Sequence, residues 1–191
     1  MHAALSVQES LGLEKVHMVL SARPGHRGAP TCSVADRWEM LQLACRPHRG
    51  LIPDDREIQR PGKSFTYLTV RELAQEGFIP CWIVGQDSFA TLAEWYRWED
   101  ILEFCNLIVI DRPGALVELP DAVCEFEVAY RVEKIDLSKT GQLHRLGNSM
   151  LEISATYIRQ CLRNNDDVTD LLNDAVKTYI IDNDLYMEAS V

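Results

Sequence analysis

Two hydroxyls and a guanidinium fall close together at Ile153-Ser154-Ala155-Thr156-Tyr157-Ile158-Arg159. If Ser154 opens a helix, the first backbone N–H groups lack intrahelical acceptors and the positive end of the helix dipole faces the same way, with Arg159 roughly one turn on. That set of donors suits a phosphate chain, although plain capping by Ser154 with a solvent-facing Arg159 fits the same spacing. Gly85-Gln86-Asp87-Ser88 offers a glycine for close backbone approach and a carboxylate that could accept hydrogen bonds from ribose hydroxyls; Asp87 could equally be an acidic residue of a helix N-terminus. Trp95-Tyr96-Arg97-Trp98 could present an aromatic plate to a flat ring, with Trp98 the more natural core residue. The basic residues His26, Arg27, Arg60, Lys63 and Arg112 converge only if their loops fold over one crevice. His2, at the start of a first helix, is either frayed or faces an anion.

The elements that would position these groups follow from apolar spacing. Ala4, Leu5, Val7 and Leu11 predict a helix over Ala3–Leu11 that ends at Gly12. Val16–Leu20 reads as a buried strand running into the Pro/Gly-broken loop Ser21–Arg27, and Ser33 caps a helix with Trp38, Leu41 and Cys45 inward. After a turn at Pro53-Asp54-Asp55, a helix is predicted over Thr66–Gln75. Ile79–Val84 and Leu107–Ile110 are continuous apolar runs ending in polar turns, the pattern of parallel strands buried on both faces. Further strands are predicted at Val132–Leu137 and Leu143–Leu146, then helices from Ser154 to near Leu162 and over Asp170–Ile181, whereas Ala115–Tyr130 reads as a loop passing into a short helix. Helices alternating with strands predict an α/β, Rossmann-like doubly wound parallel sheet flanked by helices. Ligands of such sheets bind beyond the carboxyl ends of the strands, which is where most of the candidate groups lie.

Composition narrows the function. The 191 residues suit a single domain, 1–191, and 19 Lys+Arg against 29 Asp+Glu give a net charge of -10, so a general nucleic-acid-binding surface is excluded. No apolar run approaches the roughly 18 residues of a membrane span, and the N-terminus lacks the pattern of a signal peptide, so a cytoplasmic protein without a membrane partner is expected. Cys32, Cys45, Cys81, Cys105, Cys124 and Cys161 are too dispersed for a zinc site or a disulfide framework and read as buried small hydrophobes. No metal ligands are assigned.

Taken in order, SARPGHR (Ser21–Arg27), the helix with Asp36-Arg37 and Met40-Leu41, DDREI (Asp54–Ile58), RPGKSFTYLT (Arg60–Thr69), GQDS (Gly85–Ser88), WYRWEDIL (Trp95–Leu102), DRPG (Asp111–Gly114), ISATYIR (Ile153–Arg159) and the terminal AVKTYIIDNDLY (Ala175–Tyr186) resemble the bacterial nicotinate-nucleotide adenylyltransferases of the nucleotidyltransferase α/β-phosphodiesterase superfamily. The resemblance runs nearly end to end. In that family a strand, a Gly-rich loop and an H-x-G-H motif come first, and His2 aligns with the second His of that motif. The resemblance therefore implies that the N-terminal strand, the loop and the first His are missing from this chain, roughly 20 residues in all. A start codon placed too late is the favoured explanation, with a truncated gene as the other. The lost strand is central in the family's sheet, so its neighbours would face a gap. Gly25, Phe65, Ala115 and Asn173 are milder departures from the family pattern.

The resemblance implies attack by the 5′-phosphate of nicotinate mononucleotide on the α-phosphorus of ATP, giving deamido-NAD and pyrophosphate, with Mg²⁺ carried by ATP. His2 and Arg159 are then the catalytic residues. Ser154, Thr156 and Arg159 would hold the β- and γ-phosphates while His26 and Arg27 close over them. Gly85 and Asp87 would take the mononucleotide ribose; Thr66, Trp95 and Tyr96 would recognise the nicotinate ring and carboxylate, and Arg112 would join the mononucleotide site. The alternatives are a noncatalytic nucleotide-binding relative and an adenylyltransferase preferring nicotinamide mononucleotide. Oligomeric state does not follow from the sequence.

Overall fold

Helix α1 (His2–Leu11) is built from good helix formers and stops where Gly12 turns left-handed at φ 61°, its N–H reaching the Gln8 and Glu9 carbonyls. In the computed structural model, which describes residues 1–25, 31–111, 117–147, 155–164, 166–169 and 171–186, it is followed by β1 (Val16–Val19), α2 (Val34–Cys45), β2 (Leu51–Asp54), α3 (Arg56–Gln59), α4 (Thr66–Gln75) and β3 (Cys81–Gly85). The chain continues through α5 (Gln86–Ala90), 3-10 turns at Leu92–Glu94 and Trp98–Glu103, β4 (Asn106–Asp111), α6 (Asp121–Tyr130), β5 (Leu143–Gly147), α7 (Ala155–Asn164) and α8 (Asp174–Asp182).

Among the described residues all strand pairs are parallel, in two sheets: β1-β2, with Val16 opposite Leu51, and β3-β4-β5, with Ile83 opposite Ile108 and Val109 opposite Arg145. β4 is the core strand, with Leu107, Ile108, Val109 and Ile110 all buried. Because strand side chains alternate in direction, Leu107 and Val109 join Val84, Phe89, Ile101, Val123 and Phe126 on one face, while Ile108 and Ile110 meet Val7 on the other. Helices therefore cover both faces of a parallel sheet, the α/β arrangement expected from the apolar runs.

The single sheet read from the sequence is interrupted. Apolar packing joins the two pieces: Ala3, Val7 and Leu11 form an i, i+4, i+8 stripe against Ile108 and Ile110, whereas Ala4 and Leu5 pack with Val16, Cys45 and Leu51. Ile83 of β3 and Leu13 belong to both clusters.

Three local readings are corrected. The turn at Pro53-Asp54-Asp55 is the end of strand β2, where Pro53 is tolerated on an edge strand. Val132–Leu137 is not a strand; the residue before it, Arg131, forms an isolated bridge with Leu143, and the segment is held to β5 by bonds such as that from Val132 N–H to the Leu143 carbonyl, 2.8 Å. The segment read as a loop passing into a short helix ends in the ten-residue helix α6. The last helix begins at Asp174, capped by the Asn173 side chain, and Asp170 lies outside the described residues. All six cysteines are free, but Cys124 is exposed and Cys32 and Cys81 are only partly covered. Among the described residues no helix is long and apolar enough to cross a membrane.

If α1 clasps the two sheets, Val7→Ala should destabilise the protein by about 2 kcal/mol through the cavity left against Ile108 and Ile110. Urea unfolding checks this; an unchanged midpoint would contradict it.

Candidate active site

The loop after β1 is held by its carbonyls. Arg37, one turn into α2, donates to Ser21 O at 2.7 Å and Ala22 O at 2.8 Å. Arg23 N–H donates to Ser64 Oγ at 3.1 Å, Ser64 N–H returns a bond to Arg23 O, and the Arg23 guanidinium reaches Arg60 O at 3.0 Å. Gly25 then lies so close to the Phe65 ring that a Cβ there would collide with it. His26 and Arg27, the next two residues, lie outside the described residues.

Phe65 precedes Thr66, the first residue of α4, and no side chain caps that helix. Its ring stacks on Tyr96 with centroids 4.8 Å apart, while Tyr67 meets Tyr96 edge-on at 5.9 Å and Arg97 lies over Tyr67 at 4.5 Å. The structure thus joins Phe65, Tyr67 and Tyr96 in one aromatic wall, with Thr66 between the first two in sequence. Tyr96 is half exposed, whereas Trp95 and Trp98 pack partly on the core cluster.

Gly85 ends β3 and precedes α5, with Asp87 exposed in the first turn. The Gly85 backbone is extended at φ -76°, and an added Cβ would meet nothing within 4 Å. Neither backbone nor packing requires glycine here, so the position leaves open space at a strand end. Asp111 ends the neighbouring β4.

Asp111 is gripped by a network of residues distant in sequence. Arg145 on β5 binds Glu127 of α6 through Nε at 2.6 Å and Nη2 at 2.7 Å, reaches Asp111 with Nη1, and lies over the Phe89 ring at 5.5 Å. Hydrogen bonds from Arg145 hold the Glu127 carboxyl below its ordinary range, against the opposing effect of burial. The bonds Arg145 donates to Glu127 raise Arg145 in turn. A buried acid on a helix face was the available signal, but its partner is 18 residues away and visible only in the fold. Arg112 lies outside the described residues.

A second network absorbs candidate cations. Arg56 pairs with Asp54 and Glu76, and Arg60 pairs with Glu72 and bonds to Thr69, whose hydroxyl donates to Glu57 at 2.6 Å. Burial pushes the Asp54 carboxyl up, but bonds from Arg56 and His17 leave it lowered on balance. Arg60 therefore braces α3 against α4.

In α7, Thr156 is exposed and Arg159 half-buried, three residues apart and so on one face. The Arg159 guanidinium lies 5.8 Å from the Tyr186 ring centroid. Ser154 lies outside the described residues. His2 is exposed at the start of α1, next to Ala3, which packs in the cluster of Ile110 and Leu146, the penultimate residues of β4 and β5. Gly85, Asp87 and Asp111 thus lie at and just beyond the carboxyl ends of β3 and β4. Among the described residues no group of three or more His, Cys, Asp or Glu could hold a metal ion.

A family model described as Cytidylyltransferase-like matches residues 1–161. A probable nicotinate-nucleotide adenylyltransferase of Pseudomonas fluorescens is 36% identical over 97% of this chain and 89% of its own length. One from Aeromonas hydrophila is 33% identical over 97% of this chain and 89% of its own. The nicotinic acid mononucleotide adenylyltransferase of Plasmodium falciparum, solved in complex with NaAD, superposes with a TM-score of 0.68 at 15% identity, covering 97% of this chain and 90% of that one. At that identity the likeness speaks for the fold.

The lowered Glu127 carboxyl contributes stability that is present above its ordinary pKa of 4.5 and is lost as pH falls through the depressed folded value. At pH 7, Glu127→Gln should cost about 3 kcal/mol, and the gap to the parent protein should narrow below pH 4.5. A gap constant with pH in chemical denaturation would overturn the assignment.

Proposed function

The chain belongs to the Cytidylyltransferase-like family and, within it, to the nicotinate-nucleotide adenylyltransferases; from that premise we propose how its residues divide the work of adenylyl transfer in NAD biosynthesis. The enzyme joins ATP and nicotinate mononucleotide. A 5′-phosphate oxygen of the mononucleotide forms a bond to the α-phosphorus of ATP, the bond from that phosphorus to the bridging oxygen of the β-phosphate breaks, and pyrophosphate leaves with the electron pair. No covalent enzyme intermediate forms. The protein aligns two anions and stabilises the charge that builds between them.

The observation that carries the division of work is the placement of Gly85, Asp87 and Asp111 at and just beyond the carboxyl ends of β3 and β4, where ligands of open α/β sheets bind. Thr156 and Arg159, with Ser154, His26 and Arg27, take the triphosphate of Mg²⁺–ATP. His2 steadies the α-phosphate or the departing pyrophosphate. Asp87 accepts from the mononucleotide ribose, and the room at Gly85 lets the sugar approach the backbone. Thr66 at the uncapped start of α4 receives the nicotinate carboxylate, with Trp95 and Tyr96 as the aromatic wall for the ring and Arg112 beside it. An acidic chain can bind two polyanions in this way because the positive charge is confined to these loops and helix starts; the reaction is assigned to the cytoplasm.

Arg159→Ala should lower turnover about a hundredfold, the loss typical of removing one donor to developing charge. His2→Ala should lower turnover more than it raises the Michaelis constant for ATP. Quantifying dinucleotide with nicotinate and nicotinamide mononucleotide side by side tests the acceptor, and parent-like rates for Arg159→Ala would sink the phosphate role.

A further inference from the structure

Tyr186 is a bulky residue in the left-handed region, at φ 64°, and Asp184, two residues earlier, is there too at φ 51°. Such conformations are unfavourable for an aromatic side chain and persist only when surrounding contacts fix them. The contacts are present. Leu185 N–H bonds to the Ile180 carbonyl at 2.9 Å, closing the turn after α8. Leu185 and Tyr186 pack into a cluster with Met40 and Leu43 of α2, Ile158 and Leu162 of α7, and Ile180 of α8. The neighbouring Tyr179 hydroxyl donates to Asp36 at 3.0 Å, tying α8 to the start of α2.

The strained turn has one visible consequence: it lays the Tyr186 ring against the Arg159 guanidinium. Ile158, the residue beside Arg159, sits in the same cluster as Tyr186, so ring and guanidinium share one frame. Burial and an interaction with the Cys32 thiol push the Tyr186 phenol up to about 12, so the ring is neutral at physiological pH. An arginine has many rotamers, and an aromatic face restricts it while leaving the N–H edges of its fork free to donate.

We propose that Tyr186 is a positioning residue that holds Arg159 in its phosphate-binding orientation through the face of its ring. The inference rests on the reading of Arg159 as a triphosphate ligand. It assigns a role to the end of the AVKTYIIDNDLY segment that packing alone would not require, since a leucine could fill the same apolar cluster without a positive-φ aromatic.

The test uses the full chain with phenylalanine, 4-fluorophenylalanine and 3,4,5-trifluorophenylalanine at position 186, which keep the shape of the ring while draining its face of negative charge. Affinities for ATP and for nicotinate mononucleotide are read separately by calorimetry. Tyr186→Phe should bind ATP within about twofold of the parent protein, and the trifluoro ring about three- to tenfold more weakly, with the monofluoro ring between. Mononucleotide affinity should stay constant across the series. In an Arg159→Ala background the series should be flat. Fluorination without effect on ATP in the Arg159 protein, or with equal effect in both backgrounds, overturns the positioning role. If Arg159→Ala alone, with Tyr186 intact, binds ATP as the parent does, the phosphate reading itself has failed and the proposal falls with it.

Discussion

Helix α1 carries two apolar faces at once, and the site depends on this. One stripe, Ala3, Val7 and Leu11, lies on β4; the adjacent residues Ala4 and Leu5 lie on β1 and α2. Among the described residues, the sheet that precedes the Ser21–Gly25 loop and the sheet carrying Gly85 and Asp111 share no backbone ladder. Their relative placement is set by these side chains together with Ile83 and Leu13. Aligning two nucleotides for transfer tolerates little displacement, so a helix with an ordinary composition becomes part of the catalytic geometry.

Charge is distributed to the same end. The chain is strongly acidic, yet several acids are spent on bracing: Asp54 and Glu76 on Arg56, Glu72 on Arg60, and Glu127 with Asp111 on Arg145. The last of these ties β4, β5 and α6 together where β4 ends. Arg159 is placed differently, against a neutral aromatic face, which restrains a guanidinium without neutralising it.

Much of this was legible in the sequence. Continuous apolar runs identified β3 and β4 because both faces of those strands are covered, and Gly12 and Ser33 marked the helix boundaries they make. β2 was hidden by Pro53, harmless on an edge strand. α6, read as a short helix, shows no clear period because Glu127 occupies an inward position that periodicity reserves for apolar residues, while Val128 is 83% exposed. The reason is Arg145, a partner brought close by β5. Motifs singled out Gly85, Asp87, Thr66, Thr156 and Arg159 as candidates because each lies in a short local pattern; the contacts of Arg145 and Tyr186 are distant in sequence, and no local pattern reports them. Gly25 was read as a mild departure from its family, and the structure couples it to another, Phe65, whose ring occupies the space a Cβ would need.

The central claim is adenylyl transfer with the α-phosphorus of ATP as the point of attack. The most direct measurement follows ATP labelled at that phosphorus, incubated with the protein, Mg²⁺ and nicotinate mononucleotide, with products separated by chromatography. The account predicts that the label enters a dinucleotide in equal amount to the pyrophosphate released. Label that stays in ATP or appears only in AMP would contradict it.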